Sequence, residues 1–247
     1  MSSISVVIPA YNEEMRLPKT LQALQRYMEQ PHREWKIHEV IVVNDGSDDG
    51  TVATVEQHQK NWTALQLHSF AQNHGKGAAV HEGLRVAKSD WVLIADADMA
   101  TPWEELEKLW IEHSDAHLVM GSRALPQSDI VVRQHWLRQS MGKTFNKILK
   151  LFIGLPFKDT QCGFKLLRND SFFRAEVLSK LRVQRFAWDV EVILFLMNNK
   201  KKIVEVPIRW QHQEASHVHI LKDSLEMLIA VLKMKRRVRQ ELRNGRL

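Results

Sequence analysis

Between residues 4 and 122 five short apolar runs alternate with stretches of helical spacing, and this alternation limits the fold more than any other feature of the chain. The runs are ISVVIPA (4–10), EVIVVND (39–45), ALQLHSF (64–70), WVLIAD (91–96) and HLVMGS (117–122). Each has the length and β-branched content of a strand and is bounded by polar or glycine-containing turns. Between them Leu17, Leu21, Leu24 and Met28, then Val80, Leu84 and Ala87, then Leu106, Leu109 and Trp110 mark helical apolar faces. Near-continuous apolar strands are buried on both sides, and a βαβα order predicts an α/β fold with a mostly parallel, doubly wound sheet between helices. Ligands of such sheets bind beyond the carboxyl ends of the strands.

A polar cluster follows each of the first four strands: PAYNEE (9–14), NDGSDDGT (44–51), NHGKG (73–77) and DADMATP (96–102). Any one alone reads equally as a turn with helix-capping acids and hydroxyls; four at successive strand ends mark one edge. Asp96 and Asp98 stand two apart at a strand end, where alternation turns both carboxylates the same way. Two hard oxygen ligands with an open coordination sphere suit Mg²⁺ or Mn²⁺ on a diphosphate, although capping of a helix near Pro102 accounts for the same tripeptide. Asp45 is placed to accept hydrogen bonds from a base or ribose, and Asp48 or Asp49 to cap the next helix. NHGKG offers close backbone approach at its glycines and Lys76 as a phosphate partner at a helix start. It lacks the G-x-x-x-x-G-K spacing of a Walker loop.

The 247 residues suit one large domain, 1–220, with an appended amphipathic helix and basic tail, 221–247. No apolar run approaches the roughly 18 residues of a membrane span, and MSSISVVIPAYNEE has no basic region ahead of its apolar run, so no secretory signal is expected. The single cysteine, Cys162, allows no internal disulfide, as fits a reducing compartment. Of the net charge of +6, residues 133–158 contribute +6 and residues 222–247 contribute +5, which leaves −5 on the rest. An acidic body therefore carries two basic segments. Trp136, Leu137, Met141, Phe145, Leu149 and Phe152 mark one face of a basic helix over about 133–154; Leu221, Leu225, Leu228 and Leu232 mark another, ahead of the tail. Such helices can lie on an anionic membrane surface or pack their apolar faces on the domain. No aromatic-basic motif points to nucleic acid.

In their order, VVIPAYNEE, VVNDGSDDGT, NHGKGAAV, DADMATP and GSR resemble the inverting family 2 glycosyltransferases of GT-A fold over most of the chain. The resemblance implies that Pro9, Tyr11, Glu13, Asp45, Lys76 and Asp96 bind the nucleotide-sugar and that Asp98 and Asp96 hold the metal. DTQCGFKLL (159–167), FAWDVE (186–191) and VPIRW (206–210) further resemble the polyprenyl-phosphate hexosyltransferases, and of these the dolichyl-phosphate β-glucosyltransferases more than the mannosyl enzymes. The implied reaction joins UDP-glucose to a polyprenyl phosphate, on the cytoplasmic face of a membrane, with attachment peripheral or through a membrane protein partner. Transfer of another sugar to the same lipid, or to a saccharide hydroxyl, is the alternative.

A phosphate oxygen is already anionic near neutral pH, so its attack needs no general base. It needs cations to orient it: Arg123 first and Arg138 second, with Gln161 and Ser216 as further acceptor-phosphate contacts. Asp189 is the candidate base for a hydroxyl acceptor, or otherwise orients a cation or the sugar; Trp188 is either a sugar platform or a core residue. Two departures stand out: Ala100 occupies a position where mannosyl relatives carry a glutamine, and Ala215, Ser216 and His217 replace a glycine-serine-lysine stretch. Cys162, without metal-ligand neighbours, reads as a small packed residue.

Overall fold

The computed structural model describes residues 1–30, 34–132 and 154–211, together with 231, 233–238 and 240–241. The first half follows the expected alternation: β1 (Ser2–Ala10), α1 (Leu17–Met28), β2 (Trp35–Asn44), α2 (Thr51–Gln59), β3 (Leu65–Ser69), α3 (Lys76–Val86), β4 (Trp91–Ile94), α4 (Glu105–Ile111) and β5 (Leu118–Ser122). The second half adds β6 (Asp129–Val132), β7 (Lys165–Arg168), a π-helical turn (Phe173–Val177) running into a 3₁₀ turn (Leu178–Lys180), α5 (Trp188–Asn198), β8 (Ile203–Pro207) and β9 (Arg209–Gln211). Seven strands form one sheet in the order β3-β2-β1-β4-β7-β5-β8, and β6 pairs with β9 in a small second sheet.

Strand alternation sorts β1 between two cores. Val6 and Ile8 face Leu17, Leu21 and Leu24 of α1 and Trp103 and Trp110 near α4, whereas Val7 faces Val80 and Leu84 of α3 and Ile193 and Phe195 of α5. All three α1 leucines are fully buried, each contributing about 2 kcal/mol. The chain runs from β1 out to β3 and then crosses back to β4 on the other side of β1, which opens a crevice at the carboxyl ends of β1 and β4.

The sheet is mostly parallel, as expected, with one reversed strand: Lys165–Arg168 pairs antiparallel with both β4 and β5. β8 ends at Pro207, which lacks an N–H to carry a ladder on, and Arg209–Gln211 follows as β9 in the small sheet.

The amphipathic segment expected over 133–154 lies outside the described residues except at its last position, as do Leu221, Leu225, Leu228 and Leu232. In the tail, Val231, Met234 and Val238 pack into the core shared with α3 and α5 while Lys233 and Arg236 are exposed. Among the described residues no helix is long and apolar enough to cross a membrane.

Candidate active site

The four polar clusters meet at the crevice, and their backbones are laced together. Asn12 N donates to Ser47 Oγ at 2.9 Å, Glu13 N to Thr51 Oγ1 at 2.8 Å and Gly50 N to Glu14 Oε2 at 2.7 Å, so the loops after β1 and β2 hold one another. Asp49 accepts the Thr51 amide at 2.9 Å just ahead of α2, whose N-cap residue is Gly50 and not one of the two acids. β4 pairs with β1 only over Ile4–Val7, so Pro9, which has no N–H, sits beyond the ladder on that side. Tyr11 is 37% exposed at the rim, and Glu13 grips Arg16 through two hydrogen bonds of 2.6 Å.

Asp45 is 2% exposed, and its carboxylate accepts His74 N and Gly75 N at 2.8 Å and Asn73 Nδ2 at 2.9 Å. Three of its acceptor positions are thereby used in shaping the 73–75 loop. That loop ends at Lys76, whose Nζ lies 2.5 Å from Asp96 Oδ1.

The aspartate pair is set differently from the expectation. β4 ends at Ile94, so Asp96 and Asp98 lie in the following turn and strand alternation does not orient them. Met99, next in the chain, has a φ of +52°, a left-handed conformation that costs about 1 kcal/mol in a residue with a side chain. Burial alone would raise the Asp96 pKa, but the charge and hydrogen bond of Lys76, with Lys165 and Arg123 farther off, hold it below the usual range. Asp98 is pushed up by burial and by the charge of Asp96. Asp98 also accepts the Ala100 amide at 3.0 Å. Two carboxylates that repel each other, one of them already seeking a cation, fit a divalent metal. Among the described residues no cluster of three or more His, Cys, Asp or Glu side chains is assembled around them, so other ligands would come from the substrate or water.

The segment 159–165 abuts Asp96. Gly163 packs on Asp96 so closely that a Cβ there would come within 2.0 Å of Asp96 Oδ2; any other residue would displace the carboxylate. Arg123 donates through Nε to Asp159 Oδ2 at 2.7 Å and through one terminal nitrogen to Oδ1 at 2.9 Å, and it lies over the Trp210 ring at 5.5 Å. Burial would raise Asp159, but Arg123 holds it down to about 2. The remaining guanidinium hydrogens are free of that pair. Gln161 donates its backbone N–H to Asp159 at 3.2 Å, and the buried Thr160 hydroxyl has no hydrogen-bond partner among the described residues. Arg138 and Ser216 lie outside the described residues.

Sequence reasoning missed Lys165. It is 2% exposed, donates to the Cys162 carbonyl, stands 3.7 Å from Asp189 and lies 5.4 Å over the Trp188 ring. The signal was a lysine between Phe164 and Leu166 in a run too apolar to leave it in solvent. Asp189 is buried, with its pKa raised by desolvation against the pull of Lys165. It orients a lysine, one of the roles expected of it. Trp188, 4% exposed, is a core residue and not a sugar platform. Burial pushes the Cys162 thiol up to about 11, so little of it is nucleophilic thiolate near neutral pH.

The family model described as Glycosyl transferase family 2 matches residues 5–173. A dolichyl-phosphate beta-glucosyltransferase of Dictyostelium discoideum is 30% identical over 242 residues, 94% of this chain and 73% of that protein. One of Drosophila melanogaster is 34% identical over 224 residues, 86% of this chain and 68% of that protein. Among solved structures, glucosyl-3-phosphoglycerate synthase of Mycobacterium tuberculosis, in complex with Mn²⁺, UDP and phosphoglyceric acid, superposes with a TM-score of 0.68. It is 16% identical and covers 95% of this chain and 78% of its own. That likeness shows the fold: the seven-stranded mixed sheet with flanking helices is the GT-A architecture.

Proposed function

The chain belongs to glycosyl transferase family 2, and from that premise we propose that it transfers glucose from UDP-glucose to a dolichyl-type polyprenyl phosphate, with inversion, giving a lipid-linked β-glucose and UDP. The observation that carries this reading is the contact of Gly163 with Asp96. It sets DTQCGFKLL, which resembles the dolichyl-phosphate β-glucosyltransferases more than the mannosyl enzymes, directly against Asp96.

In this reading Lys76 and the loop shaped by Asp45 receive the donor diphosphate, and Pro9, Tyr11 and Glu13 line the nucleotide end. Asp96 and Asp98 would hold Mg²⁺ or Mn²⁺, which supplies charge neutralisation for the departing UDP. Arg123, fixed by Asp159, offers its outward N–H groups to the acceptor phosphate and so aligns a nucleophile that needs no deprotonation. Asp189 is tied to Lys165 at 3.7 Å, which favours a structural carboxylate over a general base and hence a phosphate over a hydroxyl acceptor. Attachment is peripheral, at the cytoplasmic face of a membrane, through basic segments or a membrane protein partner.

The test incubates purified protein with Mg²⁺, polyprenyl phosphate and a panel of UDP- and GDP-sugars, and measures nucleotide release. UDP release with UDP-glucose that depends on the lipid phosphate is expected. Release with a saccharide acceptor and none with lipid phosphate would overturn the reading.

A further inference from the structure

Glu191 follows Asp189 by two residues on α5 and is fully buried. Both its oxygens accept Arg182 N at 3.0 Å, and Oε2 accepts Val183 N at 2.9 Å. The Arg237 guanidinium, from the helical residues 233–238, reaches Oε1. A buried carboxylate that takes two backbone amides and a cation is among the stronger polar anchors available to a chain.

What Glu191 anchors is the wall of the Lys76 loop. Ala78 N donates to Gln184 O at 2.7 Å. A Cβ on Gly77 would come within 2.3 Å of Val183 O, and one on Gly75, whose φ is +107°, within 2.7 Å of Gln184 O. Gly75, Lys76 and Gly77 thus take their position from residues 183–185, which take theirs from Glu191. Arg237 is itself fixed, since Val231, Met234 and Val238 pack in the same apolar cluster as Ala79, Val80, Val190 and Ile193. His81 of α3 lies beside the same group: burial, with the charges of Arg182 and Arg237, holds it down to about 4, so it adds no third cation.

We propose that Glu191 is a positioning residue for the donor, setting Lys76 through residues 182–185, and that Arg237 makes this grip depend on the docked C-terminal helix. The inference rests on the reading of Lys76 as the donor-phosphate partner. A carboxylate serving only the fold would, when weakened, lower thermal stability and leave the balance between donor and acceptor unchanged.

The experiment uses the full chain and compares Arg237→Met, Arg237→Lys, Glu191→Gln and Lys76→Met by KM for UDP-glucose, KM for polyprenyl phosphate, kcat, and amide exchange at Ala78. Arg237→Met is expected to raise the UDP-glucose KM about tenfold, to leave the lipid-phosphate KM within about twofold, and to speed exchange at Ala78. Arg237→Lys should recover most of the donor KM. Glu191→Gln should act in the same direction and more strongly; if it fails to fold, Arg237→Met and the Ala78 amide still decide. An unchanged donor KM in Arg237→Met, or an equal rise in both KM values, overturns the inference while a raised donor KM in Lys76→Met leaves the donor site standing. An unchanged donor KM in Lys76→Met would remove the donor-phosphate reading, and this inference with it.

Discussion

Two cation–carboxylate pairs face each other across the ligand edge of the sheet, and they differ in how firmly they are held. Lys76 and Asp96 touch through one contact, with side chains 30% and 34% exposed. Asp159 is 3% exposed and receives Arg123, itself 30% exposed like Lys76, through two side-chain nitrogens and a backbone N–H. A single-contact pair with both side chains about one-third exposed contributes on the order of 0–1 kcal/mol and can be exchanged for another partner. Breaking a buried, hydrogen-bonded pair costs about 3–5 kcal/mol. The Lys76 side is thus the more open to exchange of partners, and the Arg123 side the more firmly held.

The largest effect tests the open side. Asp98→Asn should lower turnover about a thousandfold in a nucleotide-release assay, and an active variant would remove Asp98 from the metal site. Next, Asp159→Asn should destabilise the protein by about 3 kcal/mol in denaturant unfolding, whereas Lys76→Met should cost less than about 1 kcal/mol. Equal costs would break the comparison.

Acid sharpens it further. Asp159 is held down to about 2 in the folded protein, against an ordinary 3.8, so the unfolded chain takes up its proton first. The stabilisation is therefore complete above pH 4 and lost as pH falls towards 2, a change of about 2 kcal/mol. The stability gap between the protein and Asp159→Asn should shrink over that window. The smallest effect belongs to Cys162→Ser, which should keep activity within about twofold; loss of activity would return the buried thiol to consideration.

Most of the first half was legible because its strands are apolar runs and its polar clusters follow them directly. β7 was not: four residues beginning with a lysine and ending with an arginine carry no strand pattern, and their pairing depends on partners some 70 residues earlier in the chain. α5 was equally opaque, since WDVEVILFLMN is buried nearly all round and has no polar face to reveal a period. In the site, residue types were readable but their pairings were not. Asp45 has the composition of a ligand contact, and only the positions of three amides behind it show that its carboxylate is used within the protein. Gly163 could be recognised as a small residue, but its need to be one follows from Asp96, 67 positions away.

The reversed direction of β7 bears on how such a chain can change. β5 leaves the sheet at Ser122, and β7 enters at Lys165 beside Met120 and Ile94, so the intervening residues begin and end at the same edge. The chain between those two ends can lengthen without shifting a strand in the core, and each doubling of a loop costs only about 0.6 kcal/mol of closure entropy. A fold wired this way can rewrite one detour while the sheet stays as it is.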